Sequence, residues 1–369
     1  MKILVTGAKG FIGKNLISQL RNRGFDDIAE FDTDTPAAKL RQFAAECSFV
    51  FHLAGVNRPE NVSEFASGNT GFTQKLLSAF KESGNKAPVL VSSSVQAELD
   101  NPYGISKRES ENAVFDYGRE NGVRTCVYRL SNVFGKWCRP NYNSVVATFC
   151  HNIANGLPVT VNDENAALRL HYIDDVVNEF INAIDGGENR NGEFCAVEKI
   201  HEITVGQLAQ MLERFRRERE TLGVPKVDGE FEKALFSTYL TYLPTENLAT
   251  DLTPHCDARG SFTELFRTPE RGQISVNVTN PGITKGNHWH HTKCEKFIAV
   301  AGSGVIRLRK LGTSDVIEHR ISAVNMQSVD IPCGYTHSIV NDGTEPLITV
   351  IWCNECFDPD NPDTYFEEV

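Results

Sequence analysis

The sequence predicts an α/β doubly wound parallel sheet followed by an all-β barrel. Three observations carry that expectation. Short apolar runs alternate with helical patterns through the first 240 or so residues, the rhythm of a parallel sheet covered on both faces. A glycine-rich turn joins the first apolar run to the first helical pattern. From Gly260 to Cys353 the pattern changes to short period-two runs separated by turn residues, which suits a sandwich or barrel. The change of character near Pro244 divides the chain into residues 1–244 and 245–369.

The elements follow in order. Lys2–Thr6 reads as a strand, and Phe11–Arg23 as a helix with Ile12, Leu16 and Leu20 on one face and Gly24 as its stop. Strand-like Asp27–Phe31, helical Ala37–Glu46, strand-like Phe49–Leu53 and a helix around Thr70–Ser83 come next. Val89–Ser92 reads as a strand, Tyr103–Asn121 as a helix and Arg124–Leu130 as a strand. Helical patterns continue at Asn143–Asn155, Ile173–Ala183 and Thr204–Arg217. Nine short strands are expected in the second half, from Ser261–Phe266 to Leu347–Cys353.

Composition narrows the function. With 40% hydrophobic and 23% charged residues, the chain is an ordinary globular protein rather than a disordered or fibrous one. A net charge of −11 argues against a nucleic-acid partner. No apolar run approaches the ~18–20 residues of a membrane span, and the opening residues lack a secretory pattern. Ten scattered cysteines then fit reduced thiols and a cytoplasmic location.

Gly7-Ala-Lys-Gly10-Phe11-Ile12-Gly13 sits between the first strand and the first helix. Small residues there let the backbone approach a pyrophosphate, and the helix N-terminus offers free N–H groups. Asp32, at the end of the second strand, is either a ligand for the ribose 2′-OH of NAD or a plain loop acid. Tyr103 and Lys107 are four residues apart on one helix face. The ammonium would pull the phenol pKa down and ready Tyr103 to exchange a proton with a substrate oxygen. Ser94 ends the preceding strand and is placed to bond the same oxygen; Ser93 is the alternative.

These residues resemble the extended short-chain dehydrogenase/reductase family, over roughly residues 1–240. Further matches are Phe51-His-Leu53-Ala54-Gly55, Asn69-Thr-Gly71, the segment from Arg129 through Asn132 to Gly135, and that from Arg169 to Asp175. The resemblance implies a Rossmann-type domain, Leu53, Ala54, Gly55 and Asn69 beside an NAD(P) cofactor, and Asn132 and Arg169 lining a nucleotide-sugar pocket. A surface role for Arg169 is the alternative. Only eight residues separate Ser94 from Tyr103, a shorter excursion than in many relatives.

The second half carries His288-Trp-His290-His291, then Glu295, and a remote His337. On a strand, His288 and His290 share a face, and two imidazoles with a carboxylate and a distant imidazole make a site for Zn2+, with Mn2+ or Ni2+ next. His291 and Cys294 are possible substitutes. The spacing from Gly282 to Gly302 and from Pro332 to Asn341 resembles the two motifs of the cupin family, except that Met326 stands where the second motif expects glycine. A metal-binding cupin domain over 245–369 is what that resemblance implies.

The order of the two halves resembles the family of bifunctional capsular-polysaccharide and O-antigen precursor enzymes. That resemblance implies epimerisation at C3 of a UDP-2-acetamido-2,6-dideoxy-4-hexulose in the cupin, then NADPH-dependent reduction at C4, and a homodimer. NADH remains the alternative reductant because Asp32 opposes a 2′-phosphate. A single-activity reductase with a sugar-binding or dimerising cupin is the second expectation. Lys285, Lys293 and Tyr335 adjoin the metal motifs and are the candidates for epimerase acid and base.

Overall fold

The computed structural model describes residues 1–268 and 270–369, and the chain divides into two compact units. One comprises Met1–Glu213 with Val227–Pro244, the other Arg214–Lys226 with Thr245–Val369. The sequence suggested one break near residue 244; the contacts add Arg214–Lys226 to the second unit. The backbone explains why: Val224 N–H donates to the Arg267 carbonyl and Arg267 N–H to that of Leu222.

In the first unit, β1 (Ile3–Thr6), β2 (Ile28–Phe31), β3 (Phe49–His52), β4 (Val89–Ser94) and β5 (Thr125–Leu130) form a parallel sheet in the order β2-β1-β3-β4-β5. Every residue of β1 and β3 is buried, as expected when both faces are covered. Side chains alternate between two apolar layers. Ile3 and Val5 pack on one side with Leu16 and Leu20 of the helix Phe11–Asn22 and Phe180 of the helix Ile173–Asn182. Leu4 packs on the other with Leu76 and Phe80 of Phe72–Ser83 and Val114 of Pro102–Asn121. The strand order reverses between β1 and β3, and ligands of such sheets bind at that switch point, outside the carboxyl ends of the strands.

Several elements of this unit differ from expectation. β6 (Asn132–Phe134), β7 (Ala167–Tyr172) and, beyond the short β8 (Arg190–Asn191) and β9 (Phe194–Cys195), β10 (His201–Thr204) build a separate three-stranded sheet. β6 and β10 are too short to carry a period, while β7 does alternate, with Leu168, Leu170 and Tyr172 between Arg169 and His171, a signal the sequence reading passed over. The helix Glu230–Leu240 was not expected either; its buried Ala234, Leu235, Thr238 and Tyr239 have helical spacing. β9 and β8 extend the parallel sheet at its β5 edge. Last, the helix expected from Thr70 starts as a π-helical turn, Ala66–Gly71, before Phe72–Ser83.

The second unit is all-β. One antiparallel sheet joins β11 (His255–Asp257), β12 (Gly260–Thr268) and β13 (Gly272–Thr279) to β15 (Glu295–Ala301), β18 (Ser328–Ile331) and β20 (Leu347–Cys353). The other joins β14 (Thr284–Trp289), β16 (Ser303–Lys310), β17 (Val316–Ser322), β19 (Tyr335–Val340) and β21 (Tyr365–Phe366). The paired sheets form a cupin-like barrel around Phe297, Ile306, Leu308, Ile339 and Ile351. β13 inverts the usual alternation: its buried side chains are Gln273, Ser275, Asn277 and Thr279. They are hydrogen-bonded among themselves and to the buried Thr349, so the polar stripe is satisfied.

Candidate functional site

The first candidate site lies at the carboxyl ends of β1, β3 and β4. Gly7 has φ +69°, a left-handed conformation that favours glycine, and a Cβ there would sit 2.7 Å from Ala54 N. A Cβ on Gly13 would sit 2.2 Å from the Gly7 carbonyl oxygen, so helix and loop meet backbone to backbone. The helix Phe11–Asn22 starts at Gly10 with no side chain capping it, which leaves N–H groups at Phe11 and Ile12 for an anion. The residues therefore fit a dinucleotide pyrophosphate. Asp32 accepts the backbone N–H groups of Lys9 and Thr33, each at 2.8 Å, which ties the end of β2 to the glycine loop.

The neighbouring chemistry is set by β4 and the helix Pro102–Asn121. Asn101 caps that helix by accepting Gly104 N–H at 2.8 Å, with Pro102 in its first turn. The eight residues between Ser94 and Tyr103 contain a 3-10 turn, Val95–Glu98, that packs against the helix start. A Cβ on Gly104 would lie 2.3 Å from the Gln96 carbonyl oxygen. Ser93 donates to buried Glu111 at 2.5 Å, and Arg129 grips the same carboxylate at 2.6 Å. Ser93 is thus committed elsewhere, and Ser94 is the serine that faces the Tyr103 phenol.

One electrostatic expectation is corrected. Burial pushes the Tyr103 phenol up, against the lowering contact with Ser94, rather than the ammonium pulling it down. Lys107 turns its ammonium to the Ser92 carbonyl at 3.1 Å. Its own pKa falls to about 8, because burial outweighs the attraction of Glu111. Tyr103 consequently keeps its proton at neutral pH.

The remaining residues of this half divide. Leu53 and Ala54 follow β3 under the glycine loop, joined to it by Leu53 N–H to the Thr6 carbonyl. Gly55 lies where a Cβ would come 3.0 Å from Asn69 Oδ1 and 3.3 Å from Lys107 Nζ. Asn69 spends its amide on Val56 and Ser106, so it shapes the turn. Asn132 and Arg169 are not brought together. Asn132 pairs with Leu170 across β6 and β7, which directs Arg169 to the opposite face of the sheet. There Arg169 is exposed and pairs with Glu202 at 3.2 Å.

In the second unit, four ligand atoms from His288, His290, Glu295 and His337 all lie within 4.8 Å of one another. The register explains the convergence. A bulge at Asn287, φ +58°, puts His288 opposite His337 across β14 and β19. Glu295 opens β15, and its Oε2 lies 3.1 Å from His337 Nε2 and 3.5 Å from His290 Nε2. These are close approaches without hydrogen-bond geometry: His290 Nε2, Glu295 Oε2 and both His337 nitrogens are buried with no hydrogen-bond partner among the described residues. Buried polar atoms without partners are rare, and here one from each of His290, Glu295 and His337 gathers in one place with a His288 ring nitrogen, which is what a cation requires. His290 Nδ1 lies 2.6 Å from the Asp363 carbonyl, so it donates there and leaves Nε2 for a metal.

Charge follows the same geometry. Burial opposes the Glu295 carboxylate, but the His290 and His337 imidazoles outweigh it and hold the carboxyl below its ordinary range. Burial and the neighbouring His337 lower His288 to about 4, so its ring is neutral and able to ligate. His291 is exposed, and Cys294 Sγ faces Cys333 Sγ at 3.3 Å; neither belongs to the four-atom cluster. Two of the three proton-transfer candidates are engaged, and Tyr335 packs against the barrel core. Lys285 donates to the Val278 carbonyl and to Asn277 Oδ1, and Lys293 to the Pro362 carbonyl. The residue the sequence reading missed is Asp363, whose contacts reach across about 70 positions of chain.

Comparison with known proteins agrees with this architecture. Residues 3–194 match the NAD dependent epimerase/dehydratase family, and residues 255–365 the polysaccharide biosynthesis C-terminal domain. A Pseudomonas aeruginosa protein named UDP-2-acetamido-2,6-beta-L-arabino-hexul-4-ose reductase is 42% identical over 99% of this chain and 98% of its own. The crystal structure of the capsular polysaccharide assembling protein CapF from Staphylococcus aureus superposes with TM-score 0.93, at 46% identity over the whole of both chains. A UDP-glucose 4-epimerase from Thermotoga maritima shares the fold over 66% of this chain and 98% of its own, at 22% identity and TM-score 0.54. The chain belongs to the NAD dependent epimerase/dehydratase family, among the CapF-like proteins that add a polysaccharide biosynthesis C-terminal domain to it.

Proposed function

We propose that the chain performs two consecutive steps on a UDP-2-acetamido-2,6-dideoxy-4-hexulose. The cupin barrel epimerises C3. The parallel-sheet unit then reduces the C4 ketone with NADPH, giving a UDP-N-acetyl-6-deoxy-talosamine on the route to UDP-N-acetyl-L-fucosamine. The observation that carries this reading is the convergence of ligand atoms from His288, His290, Glu295 and His337, with those of His290, Glu295 and His337 buried and unpartnered among the described residues, in a chain that also holds Ser94, Tyr103 and Lys107. The substrate class is supported by the name of the P. aeruginosa relative.

In the reductase half, the glycine loop and the Phe11–Asn22 helix start would hold the pyrophosphate, and Lys107 would stand beside the ribose. NADPH supplies the hydride for C4. Ser94 orients the substrate oxygen, and Tyr103, protonated because it is buried, gives O4 its proton. The Lys107 ammonium would act on the cofactor ribose and not on the phenol, whose pKa it does not lower. In the cupin half, His288, His290, Glu295 and His337 would hold a divalent ion, Zn2+ first, which would supply positive charge where negative charge develops on a substrate oxygen. A C–H beside a ketone is acid because that charge spreads to oxygen. Reprotonation from the other side inverts the carbon, and reduction then removes the ketone that made inversion possible.

The engagement of Lys285 and Lys293 favours a second reading, a single-activity reductase whose barrel binds sugar or another copy of the chain. Incubation with the UDP-4-keto sugar, with and without NADPH, followed by NMR of the products, separates the two. A C3-inverted alcohol is the outcome of the first reading; an alcohol with C3 unchanged is that of the second.

A further inference from the structure

We propose that Asp363 is the positioning residue of the metal cluster, fixing through the loop His290–Cys294 the two ligands at its ends. This rests on the metal reading above. The loop joins β14 to β15, carries His290 at its start and leads directly into Glu295. It has no regular secondary structure, and His291 and Thr292 are exposed. Its backbone N–H groups therefore need partners from elsewhere.

One side chain supplies three of them, while Cys294 N–H at the far end donates to Asn354 Oδ1 at 2.8 Å. Asp363 Oδ1 accepts His291 N–H at 3.0 Å. Its Oδ2 accepts Thr292 N–H at 2.9 Å, Lys293 N–H at 3.0 Å and the Thr292 hydroxyl at 3.1 Å. Three successive N–H groups converging on a carboxylate make a concave anion seat in the backbone. The same residue's carbonyl lies 2.6 Å from His290 Nδ1 and orients that ring. Asp363 itself has φ +39°, unusual for a residue with a side chain and tolerated best by Asp and Asn.

The segment that bears Asp363 is anchored on both sides. Lys293 Nζ donates to the Pro362 carbonyl at 2.6 Å. β21 pairs with His288 and Trp289, and Glu367 N–H donates to the Asn287 carbonyl at 3.0 Å. Tyr365 packs on Trp289 with ring centroids 4.9 Å apart. The tail thus holds β14 from outside while Asp363 holds the loop that follows it. A ligand set arranged in advance spares the metal the cost of ordering the loop.

The test is the Zn2+ affinity of the full chain, measured by competition with a chromophoric chelator. Asp363→Ala is expected to bind Zn2+ about 10- to 100-fold more weakly, the usual effect of losing a group that orients metal ligands. The Zn2+-dependent rise in Tm should shrink with it, which a purely structural role would leave unchanged. A folded Asp363→Ala chain with Zn2+ affinity within twofold of wild type would overturn the assignment. If the variant does not fold, amide exchange in the wild-type chain decides: the N–H groups of His291, Thr292 and Lys293 should be protected, and exchange at free-peptide rates would overturn it. No Zn2+ uptake by the wild-type chain would defeat the metal reading and this assignment together, whereas uptake with an unchanged variant defeats this assignment alone.

Discussion

Replacing each glycine of the loop after β1 by alanine separates what the loop needs to fold from what it needs to bind. In Gly13→Ala the new Cβ would lie 2.2 Å from the Gly7 carbonyl oxygen and 2.8 Å from that of Ala8. Both atoms are backbone, and Gly7 N–H is itself bonded to the Phe31 carbonyl, so the loop has to move by about 1 Å. Overpacking of this kind costs about 1–3 kcal/mol, and the rigid contact places Gly13→Ala near the upper end. At about 2–4 °C per kcal/mol for a domain of this size, Tm should fall by roughly 6–12 °C. Gly7→Ala adds a left-handed strain of about 1–2 kcal/mol to its contact with Ala54. Gly10→Ala meets one atom, the Gly7 carbonyl oxygen at 3.1 Å, and should cost under about 1 kcal/mol. Yet Gly10→Ala should weaken NADPH binding, because its methyl group lies where the pyrophosphate approaches the backbone, whereas Gly7 and Gly13 act through the fold of the loop. Scanning calorimetry of the full chain, following the transition of the N-terminal unit, measures the first effect, and NADPH titration the second. The reasoning is refuted if Gly13→Ala melts within 2 °C of wild type, or if Gly10→Ala binds NADPH with unchanged affinity.

Other outcomes follow from the same geometry. Tyr103→Phe should lower kcat for NADPH oxidation by about 10²–10⁴-fold with NADPH affinity little changed, and a wild-type rate would remove Tyr103 from the reaction. Lys107 is needed as the ammonium, which is present below its pKa of about 8 and lost above it. Steady-state kcat/KM should therefore decline as pH rises through that value, and a flat profile to pH 9.5 would contradict the role. NADPH should give a higher kcat/KM than NADH despite Asp32, and the reverse ranking would reject the cofactor assignment.

Legibility in the sequence tracked the range of the physics. The Gly7–Gly13 loop and the Tyr103–Lys107 pair were placed by local spacing alone, whereas of the two histidines expected on one strand His288 lies on β14 and His290 just past its end. The bulge at Asn287, which aligns His288 with His337, has no such spacing. Nor does Asp363, whose partners are His291 to Lys293. Burial was equally out of reach, and it decides Tyr103, whose phenol is raised where simple pairing with Lys107 would lower it. Glu111 was legible in hindsight. It stands four residues after Lys107 on the same helix, and it withdraws Ser93 from consideration by bonding it. Arg169 shows the limit of motif reasoning, since the register that pairs Asn132 with Leu170 sets it on the opposite face of the sheet.

The measurement closest to the heart of the account is deuterium uptake from D2O at C3 of the keto-sugar nucleotide, followed without any NADPH. The division of chemistry between the halves predicts exchange with the wild-type chain and with Tyr103→Phe, and its loss after chelation or in His337→Ala. Exchange that survives chelation, or that vanishes with Tyr103, would contradict it.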